Sequence, residues 1–456
     1  MSIDRKCLKI CKFYIIISYN HHKEGLYRSL RAGFYTLGCK VNQYETQLMR
    51  EDLIRHGYEI VSEQDHPDVF IINSCTVTAE SDRKTRQMVR KYRKALPDAV
   101  LVLTGCMPQA FPEEASAMEQ ADIVLGNASN QDLTACLDRF LTDRQRIVDL
   151  RTHDREQVRA TVDAFFEHTK AFLKIQDGCN RFCSYCIIPY ARGRIRSKPL
   201  KQIQSEVQTF AANGYREVVL IGINLTSYGA EAGLNIADAV ETAAAIDGID
   251  RIRLGSMEPE LLTDPVIQRL AAVHKLCPQF HLSLQSGCNR TLKAMNRHYD
   301  TALYTQIVQK LRTAFADCAI TTDVMVGFAG ETSEDFEESR RFVEQIGFAK
   351  VHVFPYSRRK GTKADTFPNQ IDPHTKRQRS LIMRQTAEAG RKHFLQQQLG
   401  RVFPVLYENR NTNGFYEGYT PNYTPVLLRC DHNPCGQILP TRLCALTNDG
   451  CTGELV

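Results

Sequence analysis

The stretch that decides the fold covers residues 174–197 and reads KIQDGCNRFCSYCIIPYARGRIRS. Its cysteines Cys179, Cys183 and Cys186 form a C-x3-C-x2-C triplet. Three thiols cannot all pair as disulfides, and structural zinc prefers four Cys or His ligands in paired spacing. A [4Fe–4S] cluster usually takes four cysteines, so three leave one iron free to bind another molecule. The triplet therefore predicts an iron–sulfur cluster with one open iron.

The triplet, with Tyr185 just before its last cysteine, resembles the signature of the radical S-adenosylmethionine (SAM) superfamily. In that superfamily the open iron binds SAM, and one electron from the cluster cleaves SAM to methionine and a 5′-deoxyadenosyl radical. The cofactor carries this chemistry, while the protein binds, orients and shields it. The flanking residues 187–193 (IIPYARG) narrow the resemblance to the methylthiotransferases.

Composition and length are those of a soluble globular chain. The 456 residues predict two or three domains, and 43% hydrophobic and 24% charged residues are ordinary values. A net charge of +6 is compatible with a polyanionic partner. Sixteen cysteines without a convincing secretory signal favour a reducing compartment and metal or redox chemistry over disulfides. We therefore expect a cytoplasmic location and no membrane contact.

Residues 33–130 repeat one pattern, in which a short β-rich run leads to a cysteine. The three cysteines are Cys39, Cys75 and Cys106, and helical patterns separate the runs. This alternation predicts parallel strands with helical crossovers. Parallel strands direct their carboxyl ends to one edge, where α/β sheets place their sites. The cysteines should therefore meet at one edge, although small buried core residues are the alternative interpretation.

The segments around these cysteines also resemble the methylthiotransferase family. They are LGCKVNQYET (residues 37–46), NSCTVT (residues 73–78) and TGC (residues 104–106). The resemblance implies that Cys39, Cys75 and Cys106 hold an auxiliary [4Fe–4S] cluster with one open iron. It implies that the triplet holds the radical SAM cluster, and it assigns no catalytic side chain beyond these ligands.

A second alternation of strand and helix patterns begins near residue 171. It contains about six β/α units, too few for an eight-fold barrel. The radical SAM superfamily uses such a partial barrel, so the resemblance implies one here, with the site at the carboxyl ends of its strands. Gly222, Glu258 and Gln285 lie in loops that follow predicted strands. Together with Tyr185 they are the predicted SAM contacts.

The last segment changes character from about residue 396. Short strand patterns punctuated by glycine and asparagine predict a small antiparallel barrel. Residues 418–423 (GYTPNY) resemble the TRAM domain, a small RNA-binding barrel found at the end of this family. The four cysteines of this segment are spaced poorly for zinc.

The fold class predicted is α/β: a parallel α/β domain, a partial (β/α)6 radical SAM barrel and a small antiparallel TRAM-like β-barrel. The predicted segments are residues 1–32, a disordered or mis-started extension; 33–145, the first domain with the auxiliary cluster; 146–168, a linker; 169–395, the radical SAM core; and 396–456, the RNA-binding barrel.

The resemblance implies an enzyme that replaces a C–H bond by C–SCH3. The carbon is unactivated, so radical abstraction is the chemical reason for the first cluster, and the second supplies or relays sulfur. Both open irons must then face one cavity.

Three branches of the family modify threonylcarbamoyladenosine in tRNA, isopentenyladenosine in tRNA, or an aspartate of a ribosomal protein. The motifs around Cys39 and Cys75 and residues 352–362 look most like the first branch, which converts t6A to ms2t6A at tRNA position 37. The ribosomal-protein branch is the runner-up, and an iron–sulfur redox protein is the alternative from a different class.

The expected partners are the tRNA anticodon loop, SAM and a low-potential electron donor. The carboxylate of the threonylcarbamoyl group should be recognised by a cation near the cavity, and Arg192 or Arg358 is the predicted residue. The predicted phosphate contacts, for which solubility or ion pairs are the alternative, are Arg192, Arg194, Arg196, Arg358, Arg359 and Lys360. One predicted helix carries four basic residues on one face: Arg83, Arg86, Arg90 and Lys94. This face either is solvated or binds RNA.

Overall fold

A computed structural model describes residues 29–153, 162 and 169–456. Residues 1–28 of the proposed extension, which include Cys7 and Cys11, and most of the proposed linker therefore lie outside the described residues. The last two residues of the proposed extension, Arg31 and Ala32, instead begin the first strand of the sheet. Within the described part of the chain, no helix is long and apolar enough to cross a membrane.

The first domain is a six-stranded parallel sheet with helices on both faces. Its strands are β1 (Arg31–Thr36), β2 (Glu59–Ile60), β3 (Val69–Ser74), β4 (Val100–Gly105), β5 (Ile123–Leu125) and β6 (Ile147–Asp149). Its helices are α1 (Lys40–Arg55), α2 (Ala79–Ala95), α3 (Cys106–Ala110), α4 (Pro112–Ser116) and α5 (Leu133–Asp143). Because β6 pairs with β5, the sheet continues past residue 145 into the segment predicted as a linker.

Burial on both faces explains why the central strands are apolar throughout. In β3, Ile71 packs into the core beneath α1 and α5, whereas Phe70 and Ile72 pack beneath α2. Such continuous apolar runs are typical of parallel strands covered by helices on each side. The strand order β2-β1-β3-β4-β5-β6 reverses between β1 and β3. Sheets of this order bind ligands at that reversal, beyond the carboxyl ends of the strands.

The second domain is a partial parallel barrel, and it confirms the predicted fold class. Its strands are β7 (Ala171–Lys174), β8 (Gln176–Asp177), β9 (Arg196–Ser197), β10 (Glu217–Ile221), β11 (Arg251–Leu254), β12 (Ser256–Met257), β13 (Gln279–Leu282), β14 (Ala319–Val326) and β15 (Lys350–Pro355). Its helices are α6 (Ile188–Arg192), α7 (Leu200–Ala212), α8 (Ile236–Ala244), α9 (Asp264–Ala271), α10 (Asn289–Ala294), α11 (Thr301–Ala314), α12 (Ser333–Ile346) and α13 (Pro373–Gln396).

The barrel strands form two parallel sheets, β7-β10-β11 and β12-β13-β14-β15, so their order around the barrel follows the chain. A parallel bridge between Ile252 and Leu276 connects the sheets. The short antiparallel pair β8-β9 closes the base of the loop that carries the cysteine triplet.

The C-terminal domain is a closed five-stranded barrel in the order β16-β17-β18-β20-β19. Its strands are β16 (Val402–Arg410), β17 (Tyr416–Tyr419), β18 (Pro425–Leu428), β19 (Ile438–Leu446) and β20 (Cys451–Leu455). The sequence patterns predicted strands at residues 402–407, 425–428, 437–439 and 442–446. The last two overlap β19, and none covers β17 or β20. All neighbouring strands are antiparallel except β18 and β20.

Buried charges join the core to the C-terminal barrel. Arg253 donates from Nε to Glu217 Oε1 at 2.8 Å and from Nη1 to the Pro421 carbonyl at 2.9 Å. Lys170 Nζ lies 2.7 Å from Glu408 Oε1. Glu217 and Arg253 are each 2% exposed, so neither charge can be left without its partner at low cost.

Acid should weaken this contact through Glu217. Burial opposes ionisation of its carboxyl, but the charges of Arg253, Lys170 and Arg251 outweigh burial and lower its pKa to about 2 from 4.5. A lowered pKa contributes stability that is present above the unfolded value and is lost as the pH falls through the folded one. The shift corresponds to about 3 kcal/mol.

Urea unfolding of the parent and of Glu217→Gln at about pH 6 and about pH 3 measures this contribution. The variant should be the less stable at the higher pH and should lose less stability on acidification. Equal losses in the two proteins would contradict the assignment.

Candidate functional site

The first three cysteines meet at one edge of the first sheet. Cys39, Cys75 and Cys106 directly follow or lie close behind the carboxyl ends of β1, β3 and β4. The side-chain oxygen of Asn42 lies 3.9 Å from Cys39 Sγ and 3.8 Å from Cys106 Sγ. Gly38 has a φ of +111°, and a Cβ there would lie 3.0 Å from Cys75 Sγ. The three thiols therefore share one site at the strand reversal, which we call the first triad.

Two asparagines in the motifs, to which the sequence assigned no role, hold this edge together. Asn42 donates from Nδ2 to the carbonyls of Leu37 and Ser74, each at 2.8 Å. Asn73 donates from Nδ2 to the Asn42 carbonyl at 2.9 Å and to Thr46 Oγ1 at 3.0 Å. Both asparagines are fully buried, so loss of these acceptors would leave unpaired donors in the interior.

The second triad, Cys179, Cys183 and Cys186, lies in the loop between β8 and α6. A tight turn joins its last two cysteines: the Cys186 amide donates to the Cys183 carbonyl at 2.9 Å. Gly178 has a φ of +71°, and a Cβ there would lie 1.9 Å from the Arg194 carbonyl oxygen. Only glycine fits directly before Cys179.

Each triad has a buried arginine directed at one of its thiols. Arg192 Nη2 lies 3.3 Å from Cys106 Sγ, and Arg297 Nη1 lies 3.3 Å from Cys183 Sγ. A neighbouring guanidinium favours the thiolate, which is the form that binds metal. The sequence contains no motif that marks Arg297, and sequence reasoning missed it.

The thiols are strongly affected by burial. Burial raises the pKa of Cys75, Cys179 and Cys183, and raises the pKa of Cys106 and Cys186 to about 12. At Cys106 and Cys183 the adjacent guanidinium acts in the opposite direction and offsets part of this rise in pKa. Metal binding reverses the preference for the protonated form, because the ligand is the thiolate.

These donors fit an iron–sulfur cluster. Among the described residues, no three His, Cys, Asp or Glu side chains gather closely enough to hold a single metal ion. A four-iron cluster is held by cysteines, and a cluster bound at either triad would have one iron without a cysteine ligand. Hydrogen-bond donors also point at the sulfur of Cys106: Asn127 Nδ2 lies 3.4 Å from it, in addition to the guanidinium of Arg192. Such donors stabilise a thiolate.

Arg192 also connects the first domain to the core. Its Nη1 lies 2.5 Å from Glu45 Oε1, and its Nη2 lies 2.9 Å from Glu45 Oε2 and 2.7 Å from Asn42 Oδ1. Lys174 bonds both Glu45 at 2.7 Å and Asp177 at 2.6 Å. These buried side chains form what we call the interdomain network.

The interdomain network overturns one prediction. The Arg192 side chain is 1% exposed, so its predicted contact with RNA phosphate or with a substrate carboxylate is wrong. Burial opposes ionisation of Glu45 and Asp177, but the charges of Arg192 and Lys174 outweigh it and hold both pKa values below their usual range. The arginine serves as an internal counter-ion.

Arg359 makes a second buried contact across the same boundary. Its Nη2 lies 2.5 Å from Asp82 Oδ2 and 2.9 Å from Thr76 Oγ1. The prediction that it holds RNA phosphate is therefore wrong as well. Arg196 is largely buried and pairs with Asp177 at 3.4 Å. The exposed members of the predicted set are Arg194, Arg358 and Lys360.

The residues predicted to bind SAM lie beside the second triad or in loops after the core strands. Gly222 follows β10, and the Glu258 carboxylate pairs with Arg297, the arginine at Cys183. Gln285 has a φ of +66°, and its buried side-chain oxygen has no hydrogen-bond partner among the described residues. Tyr185 packs edge-to-face on Phe328, with ring centres 6.4 Å apart. Their contact with SAM stays a prediction.

Lys40 lies where the three domains meet. It follows Cys39 in the chain, and its Nζ lies 5.6 Å from the centre of the Phe172 ring on β7. Burial, together with the charges of Lys170 and Arg253, lowers its pKa to about 8. The residue is nevertheless solvent-accessible. Lys40 is therefore an accessible cation at this junction.

Family models match both halves of this site. The Uncharacterized protein family UPF0004 matches residues 31–126, and the Radical SAM superfamily matches residues 173–343. The threonylcarbamoyladenosine tRNA methylthiotransferase MtaB of Aquifex aeolicus (strain VF5) is 37% identical over 84% of this chain and 94% of that protein. A tRNA-2-methylthio-N(6)-dimethylallyladenosine synthase of Caldicellulosiruptor saccharolyticus is 33% identical over 92% of this chain and 91% of that protein.

A solved structure shares the fold. The radical S-adenosylmethionine methyltransferase TsrM from Kitasatospora setae, determined with cobalamin and a [4Fe–4S] cluster bound, superposes with a TM-score of 0.55. The match covers 74% of this chain and 77% of that chain at 13% identity. At this identity the likeness concerns the fold alone.

Removing the guanidinium of Arg192 should destabilise the protein strongly. Arg192→Met leaves Glu45 and Asp177 buried with one cation fewer, and breaking a buried ion pair costs about 3–5 kcal/mol. Urea unfolding followed by circular dichroism measures the loss. The matched control is Arg194→Met, an exposed arginine of the same segment, which should cost about 1 kcal/mol or less. Equal stability of the two variants would contradict the role of Arg192.

Proposed function

The chain belongs to the radical SAM tRNA methylthiotransferases, and from this we propose that it converts N6-threonylcarbamoyladenosine at tRNA position 37 to its 2-methylthio derivative. The observation that carries the chemistry is the presence of two cysteine triads on two domains joined by one buried network. The substrate rests on similarity: the Aquifex relative, named for threonylcarbamoyladenosine, is 37% identical, against 33% for the dimethylallyladenosine synthase.

We assign the auxiliary [4Fe–4S] cluster to Cys39, Cys75 and Cys106, and the radical SAM cluster to Cys179, Cys183 and Cys186. When bound, these clusters and SAM supply the radical, the sulfur and the methyl group that replace an unactivated C–H bond by C–SCH3. The side chains around the clusters would adjust their electrostatic environment. Hydrogen bonds to cluster sulfurs help to set the reduction potential, and Arg192 and Arg297 are the buried donors available for it.

The interdomain network serves this reaction by holding the two triads at a fixed separation. Asn42 and Glu45 follow Cys39 on α1, whereas Asp177 precedes Cys179 by two residues. Arg192 bonds to all three of these side chains. A substrate atom that must meet both clusters in turn requires this rigidity, because small misplacements of reacting groups cost much of the rate.

The substrate base must leave the anticodon loop to reach such a site. Unpaired loop bases are the least costly to extrude, at about a few kcal/mol. The exposed Arg194 and Lys360 and the C-terminal barrel are the surfaces that we assign to RNA phosphates. We expect a low-potential electron donor to complete the reaction, and we assign the enzyme to the cytoplasm because its proposed substrate is tRNA.

Isopentenyl-type adenosine is the second candidate substrate, because a synthase for the dimethylallyl nucleoside is also similar over most of the chain. The two substrates differ in charge: the threonylcarbamoyl group carries a carboxylate, and the dimethylallyl group is neutral and apolar. The accessible ammonium of Lys40 favours the substrate that carries the carboxylate, threonylcarbamoyladenosine.

The test is mass spectrometry of nucleosides from tRNA incubated with reconstituted enzyme, SAM and a reductant. Product should form on tRNA carrying threonylcarbamoyladenosine, and at least about tenfold more slowly on tRNA with dimethylallyladenosine or plain adenosine at that position. Cys75→Ala should give no methylthiolated product. The control Cys136→Ala changes a buried core cysteine on α5 and should retain the parent rate. Equal rates on the three tRNAs would refute the substrate assignment.

A further inference from the structure

Among the described residues, Lys40 forms no salt bridge, whereas the neighbouring cations Lys170 and Arg253 each pair with a carboxylate. Lys170 pairs with Glu408 at 2.7 Å, and Arg253 pairs with Glu217 at 2.8 Å. Both also lie over aromatic rings of the C-terminal barrel. The ammonium of Lys40 instead stands over the ring of Phe172, 5.6 Å from its centre. Glu217 and Glu408 act on its charge, but no salt bridge to either is formed, so the ammonium is available to a molecule that reaches this surface.

The position of Lys40 relates it to the chemistry. The residue directly follows Cys39, the accessible thiol of the first triad, and begins helix α1. In adenine, carbons 2 and 6 are the two neighbours of nitrogen 1, so a substituent on N6 lies at the same edge of the base as carbon 2. When carbon 2 faces the first triad, an N6 substituent therefore points to the same side of the base, where a residue next to Cys39 can reach it.

Most other cations near the triads are engaged by carboxylates, and Arg194 lies over the ring of Phe182 in the loop of the second triad. Arg192 is buried and bonded to Glu45, and Arg297 is buried and bonded to Glu258. Arg358, which the sequence suggested for a substrate carboxylate, bonds Asp365 at 2.6 Å. Among these residues, only Lys40 is accessible, forms no ion pair and directly follows a triad cysteine in the sequence.

We propose that the ammonium of Lys40 pairs with a carboxylate on the N6 substituent of the substrate adenosine, and so selects an acidic modified adenosine over neutral ones. The inference rests on the proposed function and names the residue that gives it its specificity. A hydrogen bond between an ammonium and a carboxylate changes affinity by about tenfold.

The experiment compares binding of three anticodon stem-loop RNAs to the anaerobically reconstituted full chain by fluorescence anisotropy. The RNAs carry threonylcarbamoyladenosine, dimethylallyladenosine or adenosine at the same position. The parent should bind the first about tenfold more tightly than the third. Lys40→Met should bind all three with nearly equal affinity and leave the affinity for the unmodified RNA unchanged. Lys40→Arg should keep most of the preference, because it keeps the charge.

The control is Lys201→Met, which removes an exposed lysine from the outer helix α7 and should keep the parent preference. Circular dichroism and iron content verify that each variant is folded and loaded. If Lys40→Met retains the preference while the parent shows it, the inference is wrong and the proposed substrate stands. A uniform loss of affinity for all three RNAs also overturns it, since that result assigns Lys40 to the phosphate backbone. If the parent shows no preference, the substrate assignment and the inference fail together.

Discussion

The buried guanidinium of Arg192 is the interaction on which the arrangement of the two catalytic domains depends. It bonds Glu45 and Asn42 of the first domain, approaches Asp177 of the core and also faces Cys106. Removing such a cation from water costs several kcal/mol, so it is tolerated only where carboxylates surround it. Glu45 and Asp177 are close in sequence to the first and second triads respectively. The network therefore fixes the position of one triad relative to the other.

Both triads lie beyond the carboxyl ends of parallel β-strands. In the first domain the thiols follow strand ends at the reversal of strand order, and in the core the second triad follows the first barrel strand. Each triad has one arginine at a thiol and one carboxylate that holds this arginine: Glu45 for Arg192, and Glu258 for Arg297. Because the internal charges are paired in this way, the accessible cation of Lys40 remains for recognition of the substrate.

The sequence was sufficient for features that depend on local patterns. Apolar runs ending in cysteine predicted the parallel strands and brought Cys39, Cys75 and Cys106 to one edge. Features that depend on distant partners were not predictable. Glu45 lies 147 residues from Arg192, so the sequence could not show that this arginine is buried and paired. For the same reason it did not reveal Arg297. Strand β20 completes the barrel by pairing with β18 and β19, and its own five residues carry only a weak strand pattern.

Iron content after anaerobic reconstitution tests most directly whether the two triads hold separate clusters. The parent should bind about eight irons per chain, and Cys106→Ala and Cys183→Ala should each bind about four. Cys136→Ala should match the parent, because this thiol packs in the core of the first domain, away from the triads. About four irons in the parent, with no change in Cys106→Ala, would contradict the account.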